Sequence, residues 1–104
     1  MSDYANKIEQ AAVSLANAVT HEMELEDNRH VVKLNAIGHI MGSGDNKLTG
    51  KPHSFSSAEA VVHTDDIYAD HLKKLREAAR DRIIAKGRYD AAVAAASLQE
   101  NLNA

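Results

Sequence analysis

The sequence predicts an all-α fold: an antiparallel two-helix hairpin with long helices, assembled into an oligomeric helical bundle. Three observations predict it. The helix-breaking residues are collected in one place. The stretch GSGDNKLTGKPHSFSSAEA, Gly42 to Ala60, holds three of the chain's five glycines, its only proline and its only phenylalanine. On both sides of that stretch apolar residues recur at steps of three and four, the spacing of one helix face. No β-branched run alternates for five residues, so no strand is expected.

The first arm is expected to be helical over about residues 3–41. Ser2 or Asp3 can cap its start, and Ile8, Ala12, Leu15, Val19 and Met23 form its apolar stripe. The segment ELEDNRH weakens the stripe before Val31, Leu34, Ile37 and Met41 restore it, so a bend or a change of partner is expected in between. The glycines at 42 and 44 end the helix with residues that tolerate left-handed dihedrals.

A linker follows over about residues 42–56, then a short helix over about 57–63 and a long one over about 65–101. Ser56 with Glu59 three residues later has the form of a capping box, with Phe55 stapled back onto Ala60. Thr64 offers the next cap, and Asp65 and Asp66 occupy a first turn where the helix dipole favours anions. Ile67, Leu72, Leu75, Ala79, Ile83, Val93 and Leu98 carry the apolar side of the long helix. Gly87 interrupts it at a cost of roughly 1 kcal/mol against alanine. If the chain folds back around Asn46 to Lys51, residues whose numbers add to about 105 become neighbours. Glu22, Glu24, Glu26 and Asp27 then lie beside a region carrying Arg76, Arg80 and Arg82, so acid meets base across the hairpin.

Composition bounds the rest. One domain is expected from 104 residues. Hydrophobic residues make up 44%, too many for a disordered chain, but much of that share is alanine and aromatics are only 4%. A core so thin implies further burial against another copy or a partner. The intersubunit material is expected among Val13, Leu25, Val32, Ile40, Ile84 and Leu102, which lie partly outside the main stripes. There is no cysteine, which excludes disulfides and thiolate metal sites. No apolar run is long enough to span a bilayer and the first ten residues lack a signal-peptide core, so a cytoplasmic protein without membrane contact is expected. The net charge of −3 argues against a general affinity for nucleic acid.

Candidate chemistry is sparse. Lys73, Lys74, Arg76, Arg80, Arg82, Lys86 and Arg88 make the middle of the second helix basic and suit a phosphate backbone. The competing reading is a solvated face partly neutralised by the acidic end of the first arm. Glu22, Glu26 and His30 share a helix face, and a carboxylate three residues before a histidine has the form found in metal-binding bundles. The second arm has Asp66, Asp70 and His71 but no matching pair, so no metal and no cofactor are assigned. With no Gly-x-Ser-x-Gly and no phosphate-loop spacing, no catalytic residue is assigned and an enzyme is not expected.

From Leu48 to Leu75 the chain resembles a group of small phage and prophage proteins. In that group a Thr-Gly-Lys-Pro-His-Ser segment joins two helices, followed by an Asp-x-x-Tyr turn and an alanine-rich helix with Tyr-x-x-Ala. Here these are Thr49 to Ser54, Asp65 to Tyr68 and Tyr89 to Ala92. Asp66 stands where the pattern has proline. The resemblance implies a phage origin and an infected or lysogenic bacterial cell as the setting. Some of these proteins are encoded among recombination or DNA-processing genes. It implies no activity. Physically, the motif gives loop-to-helix geometry, with Pro52 stiffening the connection. It also forms a candidate docking tip of Lys51, His53 and Phe55 for a protein partner. Non-catalytic protein binding with self-association is therefore expected first, nucleic-acid binding second and metal binding third.

Overall fold

A computed structural model describes residues 3–44, 46 and 49–103. Ser2, one of the two expected caps, lies outside the described residues. The described chain is helical, with no strand: α1 Asp3–Asp27, α2 Arg29–Gly42, α3 Phe55–Ala60, a 3₁₀ turn Val62–Thr64, and α4 Asp66–Asn103. No helix among the described residues is long and apolar enough to cross a membrane.

The first arm is two helices rather than one. Asp27 and Asn28 are poor helix formers whose side chains compete for backbone groups. At Asn28 the chain makes a single turn residue (φ −83°, ψ −7°) before Val32 N–H picks up the Asn28 carbonyl at 3.0 Å. The break coincides with a change of partner. Residues 1–24 and 76–104 form one compact unit, and residues 25–75 form another.

In the first unit the half-buried positions of α1 are Tyr4, Ile8, Ala11, Ala12, Leu15, Ala18, Val19 and Glu22. In α4 Ala79, Arg82, Tyr89, Ala92, Ala96 and Gln99 are half-buried, and Ala78 and Ala85 are buried outright. Apart from Ala12, Val19 and Ala79, which lie beside it, both sets step by four and three, the repeat of a coiled-coil seam. Two contacts fix its direction. Tyr4 Oη donates to Gln99 Oε1 at 3.5 Å and Arg82 Nε donates to Glu22 Oε1 at 2.8 Å. The start of α1 thus meets the end of α4, in the register expected from the charges. Continuing it places Ala11 level with Ala92 and Ala18 level with Ala85. Alanine on both sides lets two backbones approach closely. Arg82 and Glu22 sit within the seam, partly exposed, so the pair specifies register more than it stabilises.

This seam corrects the two apolar stripes expected from the sequence. Met23, Ile67, Ile83 and Leu98 are exposed rather than enclosed. Large side chains dominate a sequence pattern, whereas the seam sets Ile8 and Leu15 among alanines, tyrosines and one ion pair.

The second unit has the denser core. Ala36, Ile37 and Ile40 of α2 pack with Ala58 of α3, Val62 of the 3₁₀ turn and Tyr68 of α4, with Val32 and Leu72 against them. Ile37 is the largest fully buried side chain, 2% exposed. Ile40 was expected between subunits. It belongs instead to this core because α2 turns its Ala36, Ile37 and Ile40 face toward α3.

The caps also differ from expectation. Ser54, not Ser56, caps α3: its backbone is extended (ψ 168°), and its Oγ accepts from Ser57 N–H at 3.2 Å. Phe55 therefore becomes the first helical residue, 49% exposed, and no staple to Ala60 forms. Thr64 spends its hydroxyl on the Val61 carbonyl at 2.7 Å. Asp65 then caps α4, its Oδ1 accepting from Ile67 N–H at 2.9 Å. In the linker, Gly50 has φ 67°, where a side chain would be strained, and its N–H closes a turn onto Asn46 O at 2.8 Å.

Candidate interaction surface

The second unit is held by a polar frame around its core. Asp65 is the most deeply placed charge: its side chain is 4% exposed, and Oδ2 accepts from Nδ1–H of the exposed His39 of α2 at 2.7 Å. Burial pushes its carboxyl up. The His39 hydrogen bond, the Ile67 N–H, the attraction of the imidazolium and the Tyr68 N–H outweigh burial and hold the carboxyl below its ordinary value. His71, also buried, donates Nε2–H to the Leu25 carbonyl at 2.8 Å, satisfying a backbone group near the end of α1. Arg29 Nε donates to Tyr68 Oη at 3.3 Å and its other nitrogen reaches Glu26 at 3.4 Å. Lys33 pairs with Glu59 at 3.5 Å. A shallow cleft lies among Glu26, Arg29, His30, Lys33 and Tyr68, but its arginine and lysine already face carboxylates.

The expected tip residues differ in freedom. Lys51 and Phe55 are exposed. His53 is half-buried and tied through Nδ1 to Ser57 Oγ at 3.0 Å, so it braces the start of α3.

The basic run divides likewise. Lys74 pairs with Asp70 at 3.1 Å, Lys86 with Asp90, and Arg82 with Glu22. Lys86 also lies 5.9 Å from the Tyr89 ring centroid. Lys73, Arg76, Arg80 and Arg88 have no such partner among the described residues. The first three follow at steps of three and four on the side of α4 away from the seam.

Of the residues expected between subunits, Val13, Ile84 and Leu102 are exposed, and Leu25 and Val32 are half-buried. Val13, Ile84 and Leu102 do not share one face of the seam. The larger apolar exposure is beside it, at Met23 (59%) and Ile83 (62%). The sequence pattern puts both inside the helix pair. The strict four–three spacing from Tyr4 to Glu22 was the signal that would have moved them out.

Glu22, Glu26 and His71, candidates for a metal, are engaged with Arg82, Arg29 and the Leu25 carbonyl. No group of three or more histidines or acids that could hold a metal ion occurs among the described residues. Comparison with family models, with curated proteins and with solved structures finds no match to this chain.

Proposed function

We propose that this chain is a non-catalytic binding protein that acts by self-association and by docking to another protein. In this reading α1 and α2 fold back along α4 as a full helical hairpin, and copies of the hairpin share a bundle core. The observation that carries it is exposed surface. Among the described residues thirteen large hydrophobic side chains are exposed, more than scattered surface residues account for. Lys51 and Phe55 at the loop before α3 are the surface offered to a foreign protein. The resemblance around Thr49 to Ser54 supports a phage or prophage source and a cytoplasmic setting.

Light scattering is expected to return a mass above 11.3 kDa at micromolar concentration. A monomer throughout would overturn the self-association half of the proposal.

A second reading is favoured by Lys73, Arg76 and Arg80, three cations without partners on one side of α4. It makes the chain an accessory that grips a phosphate backbone in DNA recombination or processing. Gel shifts with duplex and single-stranded DNA at low and physiological salt separate the two. The first reading predicts no shift at physiological salt. The second predicts binding that falls steeply as salt rises and weakens when these three residues become glutamine.

A further inference from the structure

We infer that the break between α1 and α2 is a conformational joint, kept broken by His71 of α4. While His71 holds the Leu25 carbonyl, α1 ends at Asp27. Once that carbonyl is released, residues 25–31 close into a regular helical ladder and α1 runs on into α2. The inference goes beyond the binding reading and does not depend on it.

The local sequence does not make the break. Sharp breaks in a helix have a short list of causes: proline, glycine and serine pairs, a bulge, or a side chain or water inserted into the backbone ladder. Leu25 to Val31 contains no proline, glycine or serine. Asp27 and Asn28 weaken the ladder, being poor helix formers. Yet Asn28 keeps right-handed helical dihedrals, φ −83° and ψ −7°, and its side chain makes no capping hydrogen bond. Its backbone is about 35° in ψ from the ordinary helical value.

An inserted side chain remains, and one is present. A continuous helix gives the Leu25 carbonyl to the Arg29 N–H, four residues on. Here His71 Nε2–H reaches that carbonyl at 2.8 Å. The imidazole is 7% exposed, so packing holds it in place. Tyr68, one turn earlier on α4, takes the other side of the break: its Oη accepts from Arg29 Nε at 3.3 Å. Tyr68 also belongs to the core cluster that fixes α2. Two residues three apart on α4 therefore straddle the break, one gripping Leu25 and the other Arg29. The ladder resumes just beyond, with Val32 N–H on the Asn28 carbonyl at 3.0 Å.

The broken and continuous forms differ in which groups are satisfied. The broken form leaves the first amides of α2, those of Arg29, His30 and Val31, without a side-chain cap from Asn28. All three residues are exposed, so water can serve these amides. The continuous form returns them to the carbonyls of Leu25, Glu26 and Asp27. It then strands the buried His71 N–H. An orphaned buried donor is costly, and Asp27 with Asn28 already disfavours the helix. Together these keep the natural chain broken. Removing the imidazole N–H removes the larger of the two penalties and reverses the preference.

Residue-resolved hydrogen exchange reads the joint directly. In the natural chain the amides of Arg29, His30 and Val31 are expected to exchange within about tenfold of an unstructured peptide. His71→Leu, apolar and of similar size, should slow all three by about a hundredfold or more. His71→Gln, whose amide N–H can still reach the carbonyl, should leave them fast. Asn28→Ala alone should also leave them fast, because the cause lies on α4. The amides of Ile37 and Ile40 report in each variant whether the core of residues 25–75 is folded. A merely structural His71 predicts the opposite sign: its loss would speed exchange at Ile37 and Ile40 and slow nothing. A second measurement needs no variant. Nitrogen NMR of the natural chain should show His71 carrying its proton on Nε2.

Fast exchange at Arg29 to Val31 in a folded His71→Leu chain overturns the inference. So does slow exchange there in the natural chain or in Asn28→Ala, loss of the Ile37 and Ile40 protection in His71→Leu with no gain at the joint, or a His71 Nε2 that bears no proton.

Discussion

Ile37→Ala is expected to unfold residues 25–75 while the seam of α1 with α4 keeps its helices. Ile37 is fully enclosed by a small cluster, with Ala36, Ala58 and Val62 too short to collapse into the space it would vacate. Removing a buried isoleucine to alanine costs about 2–5 kcal/mol. Whole domains hold only about 5–15 kcal/mol, so a unit of fifty-odd residues with six buried apolar side chains loses most of its margin. The measurement is residue-resolved hydrogen exchange. Amides of α2 and α3 should lose protection, while those from Ala78 to Ala96 retain it. Val31→Ala, at an exposed position of the same helix, should change stability by no more than about 0.5 kcal/mol. Equal loss of protection in both units would show that they unfold together.

Asp65→Ala is expected to cost about 1–3 kcal/mol. It removes the cap of α4 and leaves the Ile67 N–H without its acceptor. It also frees His39. Asp65→Asn should cost less, because the amide oxygen still caps while the charge attraction is gone. The same carboxylate gives the chain a defined acid response. Its folded-state value lies below its unfolded one, which is near 3.9. Its contribution is therefore fully present above the unfolded value and is lost as pH falls toward the folded one. Urea midpoints measured from pH 6 to pH 3 should fall more steeply for the natural chain than for Asp65→Asn. Parallel curves would show that the His39–Asp65 contact carries no stability.

Much of this architecture was legible in the sequence. The helices, the loop rich in glycine, and the acid–base register that pairs Glu22 with Arg82 all follow from spacing and breakers. Three features were not legible, each for a physical reason. The seam is lined by Ala11, Ala18, Ala85, Ala92 and Ala96, and alanine is equally at home on an exposed helix face. Its layer at Glu22 and Arg82 reads as surface because both residues are charged. Met23 and Ile83, being large and apolar, therefore join the expected stripes although both are exposed, whereas Ile8, Ala12, Leu15 and Val19 do lie half-buried. The caps slipped by one or two residues because Ser54, Ser56 and Ser57, or Thr64 and Asp65, are chemically interchangeable as caps. Backbone geometry chooses between them. Ile40 was assigned to an interface because the break at Asn28 resets the helical phase, and the new phase turns Ile40 inward.

The seam rests on the antiparallel register of α1 with α4. The chain has no cysteine, so a paired substitution reads that register cleanly. Ala11→Cys with Ala92→Cys is expected to close a disulfide within a single chain under mild oxidation. Ala11→Cys with Ala85→Cys should not, because seven residues displace the partner by about 10 Å along the helix, beyond the roughly 7 Å a disulfide spans. A bond that forms only between chains, or that closes as readily in the displaced pair, would contradict the seam.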